Sequence, residues 1–258
     1  ECRECNKAFG NKCEDSFGKY LLPLKIVSRQ FGKKDKMGYS EVTGNITISK
    51  KDPLLHFDEK DIKMLAKQTN QGNMITLTED GFDLSLERKK YVPEWVYFSL
   101  IKIGISVLPF ELLNRYAYLR ASLKVALDNE NERENIFEKI DPFGILEVIS
   151  GTYFFEKVNL ELFVRKDENL KEYPYCFLCL NFGYYSIQLP LPEDKQRNGD
   201  KIKAIPYIHF KDSTISRIDF HKFEKEFKCS FHADKKEYSD EERMKLQKLL
   251  LELQERQV

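Results

Sequence analysis

The 258-residue sequence predicts an α+β fold, in which a mixed helical and antiparallel-sheet domain makes up most of the chain. Two patterns carry this prediction. Apolar residues recur at helical spacing between residues 93 and 139, whereas short alternating segments bounded by Gly, Pro or charged residues fill 40–90 and 145–210. A hydrophobic content of 41% with 13% aromatic residues provides a buried core and excludes a mainly disordered chain.

The charge balance and the cysteine content restrict the classes of function. Lys and Arg together number 42 and so do Asp and Glu, so a surface for nucleic acid has to be a local patch. Six cysteines at irregular spacing in a chain of this length favour metal or redox chemistry over a disulfide scaffold. The sequence shows no signal peptide and no apolar run of about 20 residues, which predicts a soluble cytoplasmic protein.

A helix is predicted from Asn6 to Val27, where Pro23 is expected to interrupt or kink it. The apolar residues of this segment recur at spacings of three and four: Phe9, Cys13, Phe17, Tyr20, Leu21 and Leu24. The basic cluster that follows Gly32 is interpreted as a loop, and a solvated turn explains it more simply than a phosphate contact does.

The segment 40–90 is predicted to form short strands at 45–49, 74–78 and 82–86, with a short helix at 59–68. Asp80-Gly81 separates the last two strands and indicates a hairpin.

A central buried helix is predicted over 93–108 because Pro93 suits a first helical turn and the residues after it are apolar on nearly every face. Lys102 is expected to extend its ammonium to the edge of that helix. Two further helices are predicted at 110–127 and 130–139.

The C-terminal half is predicted to be rich in strands, and 220–231 is amphipathic without a clear assignment. The predicted strands are 145–150, 153–164, 175–181, 184–189 and 204–210. A capping box at Ser239 and Glu242 begins a final helix within 237–258. Its leucine stripe is expected to pack on its own domain or, as the alternative, to bind a protein partner or form a homodimer through 239–256.

The chemistry of the sequence is concentrated at its beginning, where Cys2 and Cys5 are separated by two residues and Asn6 follows. This spacing allows both sulfurs to bind one zinc ion. The same spacing recurs at Cys176 and Cys179, but in a predicted strand, where buried core cysteines are the simpler explanation. The alternative is a tetrahedral metal site in which Cys176 and Cys179 are joined by Cys229 and His232, which have a C-x-x-H spacing.

The opening stretch, with Cys-x-x-Cys-Asn followed by Phe-Gly and an acidic residue, resembles the closing half of an HNH endonuclease motif. The resemblance is to the zinc-knuckle branch of the ββα-metal finger, in which C-x-x-C-N opens the metal-binding helix. The motif covers about 15 residues, and a looser likeness extends over Tyr91-Val92-Pro93, the central helix and Ser106-Val107-Leu108-Pro109. The implied fold is therefore the C-terminal half of such a finger followed by the α+β domain.

The resemblance implies a metal-dependent endonuclease that hydrolyses phosphodiester bonds of DNA, with bacterial antiviral defence as one setting. It makes Cys2 and Cys5 two of four structural zinc ligands. It makes Asn6 a catalytic residue that binds Mg or another divalent ion. The candidate contacts to DNA, with RNA not excluded, are Lys7, Lys12, Lys33 and Lys34.

The general-base His and the other two zinc ligands are expected upstream of Cys2, so the chain by itself is expected to be inactive or to belong to a longer polypeptide. The predicted domains are 1–32 for the closing half of the finger, 33–236 for the α+β body and 237–258 for the terminal helix. The alternative function is that of a non-catalytic scaffold that binds nucleic acid or protein and is stabilised by the zinc knuckle. No membrane partner is expected.

Overall fold

The prediction of an α+β fold is confirmed by the computed structural model, which contains both helices and antiparallel sheets. The structure describes residues 7–27, 36–41, 44–49, 75–77, 81–140, 145–149, 155–166, 174–183, 185–192, 214–218, 220, 222–232, 241, 244, 245 and 248. Among these residues, no helix is both long and apolar enough to cross a membrane.

Four helices occur among the described residues of the N-terminal and central parts of the chain. Helix α1 covers 7–27 and consists of a first turn, a π-helical stretch at Gly10–Glu14 and an α-helical part at Asp15–Val27. Helix α2 is Pro93–Ser106, α3 is Ala117–Asp128 and α4 is Arg133–Ile140. Single 3-10 turns at Phe110–Leu112 and Glu130–Glu132 precede α3 and α4.

In the part of the chain that the structure describes, ten strands form three antiparallel sheets. Their bounds are β1 Lys36–Glu41, β2 Gly44–Ser49, β3 Ile75–Leu77, β4 Gly81–Glu87, β5 Ile145–Ile149, β6 Phe155–Val164, β7 Cys176–Gly183, β8 Tyr185–Pro190, β9 Thr214–Ile218 and β10 Glu226–His232. The sheets have the orders β1-β2, β10-β4-β3 and β6-β7-β8-β5-β9. The largest sheet thus places β7 and β8 in its interior, and both strands are buried along their described lengths.

The chain divides into two compact units, each built from two separate segments. The first unit is Glu1–Tyr20 with Lys90–Phe223, and the second is Leu21–Lys89 with Glu224–Val258. The first unit contains α2, α3, α4 and the five-stranded sheet, and the second contains the two smaller sheets. These units do not coincide with the predicted boundaries 1–32, 33–236 and 237–258, because strands distant in sequence pair with each other.

The core of the first unit is aromatic and surrounds α2. The ring centroids of Tyr97 and Phe137 are 5.3 Å apart in an edge-on contact, and those of Trp95 and Phe98 are 5.6 Å apart. The hydroxyl of Tyr97 donates a hydrogen bond to the carbonyl of Ile140 at 3.3 Å, which connects α2 to the end of α4. The prediction of a central buried helix is confirmed, and Pro93 lies in its first turn as expected.

The predicted end of α1 at Val27 is confirmed, and the helix continues through Pro23 without interruption, although a proline removes one helical hydrogen bond. One prediction about the helices is wrong. The predicted helix over 110–127 is divided into a 3-10 turn and α3, which begins only at Ala117. The separating turn contains Tyr116, whose ring is fully buried, so side-chain burial competes with helical continuity there.

The strand predictions agree closely with the described strands. The predicted hairpin is confirmed by the antiparallel pairing of Leu77 with Phe82, although Gly81 already belongs to β4 and not to the turn. Strands β1 and β9 were not predicted, and β1 begins at Lys36 inside the basic cluster interpreted as a loop. The unassigned 220–231 segment contains most of β10, which pairs with β4 along seven residues, Glu226–His232. The predicted helix at 59–68 and strand at 204–210 lie outside the described residues.

Candidate functional site

The motif residues Cys2, Cys5 and Asn6 lie outside the described residues, as do Lys33 and Lys34. The described chain begins at Lys7, which is exposed in the first turn of α1. The segment that directly follows the C-x-x-C-N motif is therefore helical. Its first turns pack inward through Phe9 and Cys13, which are 5% and 0% exposed.

Cys13 carries a buried thiol, and it is not a further candidate for metal binding or nucleophilic attack beside Cys2 and Cys5. Burial raises its pKa to about 12, because a thiolate would lose its hydration, and the nearby ammonium groups of Lys102 and Lys12 only partly oppose this effect. A thiol with such a pKa stays protonated at neutral pH, whereas metal binding and nucleophilic attack need the thiolate. Cys13 therefore acts as a small apolar core residue.

Lys12, a candidate DNA contact, makes three contacts within the first unit. Its Nζ lies 2.8 Å from Glu130 Oε1 and donates a hydrogen bond to the carbonyl of Leu127 at 3.3 Å. It also lies 5.8 Å from the ring centroid of Trp95, within the range of a cation–π contact. The hydrogen bond from Lys12 lowers the pKa of Glu130 below its ordinary value, as does the charge of Lys12. The ammonium of Lys12 thus holds α1 against the ends of α2 and α3.

The second cation beside α1 is Lys102, in the middle of α2. Its Nζ lies 3.8 Å from the ring centroid of Phe9 and 3.9 Å from Glu14 Oε1. The side chain is 23% exposed, so it reaches the helix edge as expected while its stem packs against α1. Two lysines therefore fix the first turns of α1, and both involve aromatic rings.

A partly buried ion pair lies close to Trp95. Arg133 Nε is 3.6 Å from Glu94 Oε2, and the two side chains are 22% and 12% exposed. The Arg133 guanidinium lies 5.6 Å from the Trp95 ring centroid. Neither Arg133 Nε nor Glu94 Oε2 has a hydrogen-bond partner in the described part of the chain. Both Lys12 and Arg133 are thus within cation–π distance of the Trp95 ring.

An open cavity of about 660 Å³ lies between the first turn of α1, the C-terminal half of α2 and one face of α3. Its floor is apolar and includes Phe9, Ile105, Leu123 and Leu127. The wall contributed by α1 begins at Ala8, which is two residues after Asn6. The cavity and the motif are therefore close in sequence.

The rim of this cavity is cationic. Lys102, Arg120 and Lys124 line it, against one acidic residue, Asp128. Arg120 and Lys124 are exposed and lie four residues apart on α3, where like charges repel each other. Neither residue was predicted from the sequence, although two cations four residues apart on a predicted helix were a signal for them.

The second C-x-x-C pair is buried in the five-stranded sheet. Cys176 and Cys179 are both 0% exposed on β7, and burial, followed by the charge of Glu161, raises the pKa of Cys179 above its ordinary value. Cys229 and His232 lie on β10, in the second unit. Because the four residues belong to two units, the alternative tetrahedral set stays a prediction.

Among the residues that the structure describes, no group of three or more His, Cys, Asp or Glu side chains is arranged for a metal ion. Comparisons with family models, curated proteins and solved structures gave no significant match to this chain. The proposals below therefore depend on the residues and contacts described above.

Proposed function

We propose that this chain contributes the closing half of an HNH-type finger to a metal-dependent endonuclease that hydrolyses phosphodiester bonds of DNA in the cytoplasm. The observation that supports the proposal is the helix that follows Cys2-x-x-Cys5-Asn6 without an intervening loop. In the family that the motif resembles, the same residues open the metal-binding helix. The four described cysteines form no disulfide, which is compatible with a reducing compartment.

The chemistry of the donor set fits the two metals that the resemblance implies. Cys2 and Cys5 would offer soft thiolates to a structural zinc ion, and Asn6 would offer a hard amide oxygen to Mg²⁺ or a similar cation. The divalent ion would supply electrostatic stabilisation of the charge that develops on the phosphate. The two further zinc ligands and the general base would come from residues outside the described set.

The packing of α1 gives the proposed site a rigid support. Phe9 and Cys13 anchor the helix in the core, while Lys12 and Lys102 hold its first turns to neighbouring helices. A rigid helix is the support that an adjacent metal-binding group requires, because catalysis depends on positioning. Lys7 is exposed beside the motif and forms no ion pair or hydrogen bond in the described part of the chain, so it can approach a phosphate.

The first test is the coding sequence upstream of Glu1. The proposal expects a C-x-x-C and an Asp/Glu-His pair within about 50 codons, the span of one finger and its loops. An upstream sequence that lacks both would refute it. The second test is cleavage of plasmid DNA in Mg²⁺ by the polypeptide that includes those residues.

Variants of that polypeptide separate the roles of the motif residues. Asn6→Ala is expected to lower the cleavage rate about 100-fold with zinc content unchanged, as loss of a metal-supporting residue does. Cys5→Ser is expected to remove about one zinc per chain and the activity with it. Lys139→Gln, on the exposed face of α4, is the matched control and should leave the cleavage rate and the zinc content unchanged.

The alternative is a scaffold that binds nucleic acid or protein without cleaving it. The observation that favours it is Lys12, whose ammonium is used in contacts inside the first unit and not offered to a ligand. In this case the polypeptide with its upstream residues would bind its partner and zinc but would leave plasmid DNA intact in every divalent metal ion. The cleavage assay therefore distinguishes the two functions.

A further inference from the structure

We infer that the cavity between α1, α2 and α3 is a binding site for a small amphiphilic acid, with an apolar body and one carboxylate or phosphate head. The cavity volume of about 660 Å³ lies within the range of about 300–1,000 Å³ that is usual for small-molecule sites. This site is not part of the proposed nuclease chemistry, and the inference stands if that proposal fails.

The apolar part of the ligand is inferred from the floor of the cavity. Phe9, Ile105, Leu123 and Leu127 form it, and the small side chains of Ala117 and Ala121 leave the space open on the α3 side. A methylene chain or an aryl ring that covers this floor removes apolar surface of both the ligand and the protein from water. The floor thus selects a hydrocarbon body.

The anionic head is inferred from two unpartnered cations. Neither Arg120 nor Lys124 forms an ion pair or a hydrogen bond in the described part of the chain, and they lie one helical turn apart. Their mutual repulsion destabilises α3, and an anion bound between them removes that cost. The planar guanidinium of Arg120 suits a carboxylate or a phosphate, which it can bind through two parallel hydrogen bonds.

The polar groups of the lining disfavour a nucleotide. A base needs several hydrogen-bonding partners at its edge, and the lining offers only Ser106 and Asp128 besides the cations. The hydroxyl of Ser106 already donates to the carbonyl of Lys102 at 2.8 Å. The Lys102 ammonium lies 3.8 Å from the Phe9 ring centroid, so a base could not stack on that face of the ring. The cavity is therefore suited to an aliphatic or simple aryl acid.

The test is isothermal titration of the 258-residue chain with monomeric laurate. One saturable site per chain is expected, and removing two methylenes, from laurate to decanoate, should weaken binding about tenfold. Dodecyl phosphate tests the alternative head group, and binding of either acid supports the inference. Dodecyltrimethylammonium has the same chain with the opposite charge and should not bind.

Matched variants assign the site to the cavity. Arg120→Gln and Lys124→Gln should each weaken laurate binding about tenfold, the usual effect of losing one charge-assisted hydrogen bond. Ala121→Leu is compatible with a helix and fills the cavity, so it should reduce binding by a similar or larger factor. Lys139→Gln removes a cation from another helix and should not change the affinity.

The following results would overturn the inference. They are no binding of either acid, equal binding of the ammonium amphiphile, and unchanged laurate affinity in both Arg120→Gln and Ala121→Leu. Saturable binding of adenosine monophosphate that exceeds laurate binding would also overturn it, because the ligand would then need a base. Thermal unfolding of each variant, monitored by circular dichroism, checks that every chain compared is folded at the temperature of the titration.

Discussion

The ammonium of Lys12 lies 2.8 Å from the carboxylate of Glu130, and this contact joins α1 to the turn before α4. The two residues are far apart in sequence, yet Lys12 also reaches the last carbonyls of α3 through Leu127. A cation near the C-terminal end of a helix interacts favourably with its dipole. The segment next to the proposed metal-binding motif is therefore tied to three other parts of the first unit.

Replacing Lys12 by Gln should destabilise the chain. The variant loses the partly buried hydrogen bond to Leu127, and a loss of about 1 kcal/mol in the free energy of unfolding is expected for such a contact. The measurement is urea denaturation. Lys7→Gln is the control, because Lys7 is exposed on the same helix. Equal midpoints for both variants would show that the Lys12 contacts do not stabilise the fold.

Glu130 should make stability depend on pH in the acidic range. Its pKa is lowered from 4.5 in the folded chain, chiefly by the hydrogen bond from Lys12, so the contact stabilises the fold above pH 4.5. The stabilisation is lost as the pH falls below 4.5, through the lowered pKa. Wild type should be more stable than Glu130→Gln at pH 7, and the difference should vanish at strongly acidic pH. A difference that is constant with pH would contradict this explanation.

Cys13 should resist alkylation in the folded chain. Its pKa of about 12 keeps the thiol protonated at pH 8, and its side chain is fully buried. Peptide mass spectrometry after iodoacetamide treatment should show labelling of Cys13 only in denaturant. A raised thiol pKa stabilises the fold below pH 9.0 and this stabilisation is lost above it, so wild type should lose stability relative to Cys13→Ala at alkaline pH. Rapid labelling of native chain would contradict the burial.

The Glu94–Arg133 pair should show coupling in a double-mutant cycle. Removing one partner leaves the other charge poorly solvated, and a loss of about 2 kcal/mol is expected for Glu94→Gln, below the cost of a fully buried pair because both residues retain some exposure. Arg133→Gln should cost at least as much, since it also loses the contact with Trp95. The double variant should cost less than the sum of the two single changes. Additive losses would show that the pair does not interact.

Adding even a methyl group at Gly104 should lower the stability of the fold. A Cβ on Gly104 would lie 2.8 Å from Leu191 Cδ2, and Leu191 is fully buried. Overpacking costs about 1–3 kcal/mol. This exceeds the gain of about 1 kcal/mol from replacing a helical Gly by Ala, so Gly104→Ala should be destabilising.

The reciprocal variant provides the control for Gly104. In a Leu191→Ala background the added methyl has space, and Gly104→Ala should become neutral or stabilising. If Gly104→Ala lowers the free energy of unfolding equally in both backgrounds, the close approach of α2 to Leu191 is not the reason why a glycine is needed at position 104.

Local physical chemistry explains which parts of the fold the sequence predicts. Pro93 lies in the first turn of α2, where a proline sacrifices no hydrogen bond. The hairpin follows from Asp80-Gly81 and two alternating segments. The division of 110–127 was not predictable, because it depends on where the buried ring of Tyr116 packs. Strand β10 was left unassigned because its partner β4 is about 140 residues away in the sequence.

By itself the sequence determined the α+β class, the central buried helix and a C-x-x-C-N motif followed by a helix. These depend on periodicity, turn chemistry and ligand spacing, which are properties of neighbouring residues. The tertiary structure alone decided that Lys12 is used in contacts with Glu130 and Leu127, and that Arg120 and Lys124 face an apolar cavity. Those features require side chains from three helices to meet, and their meeting depends on how the helices pack.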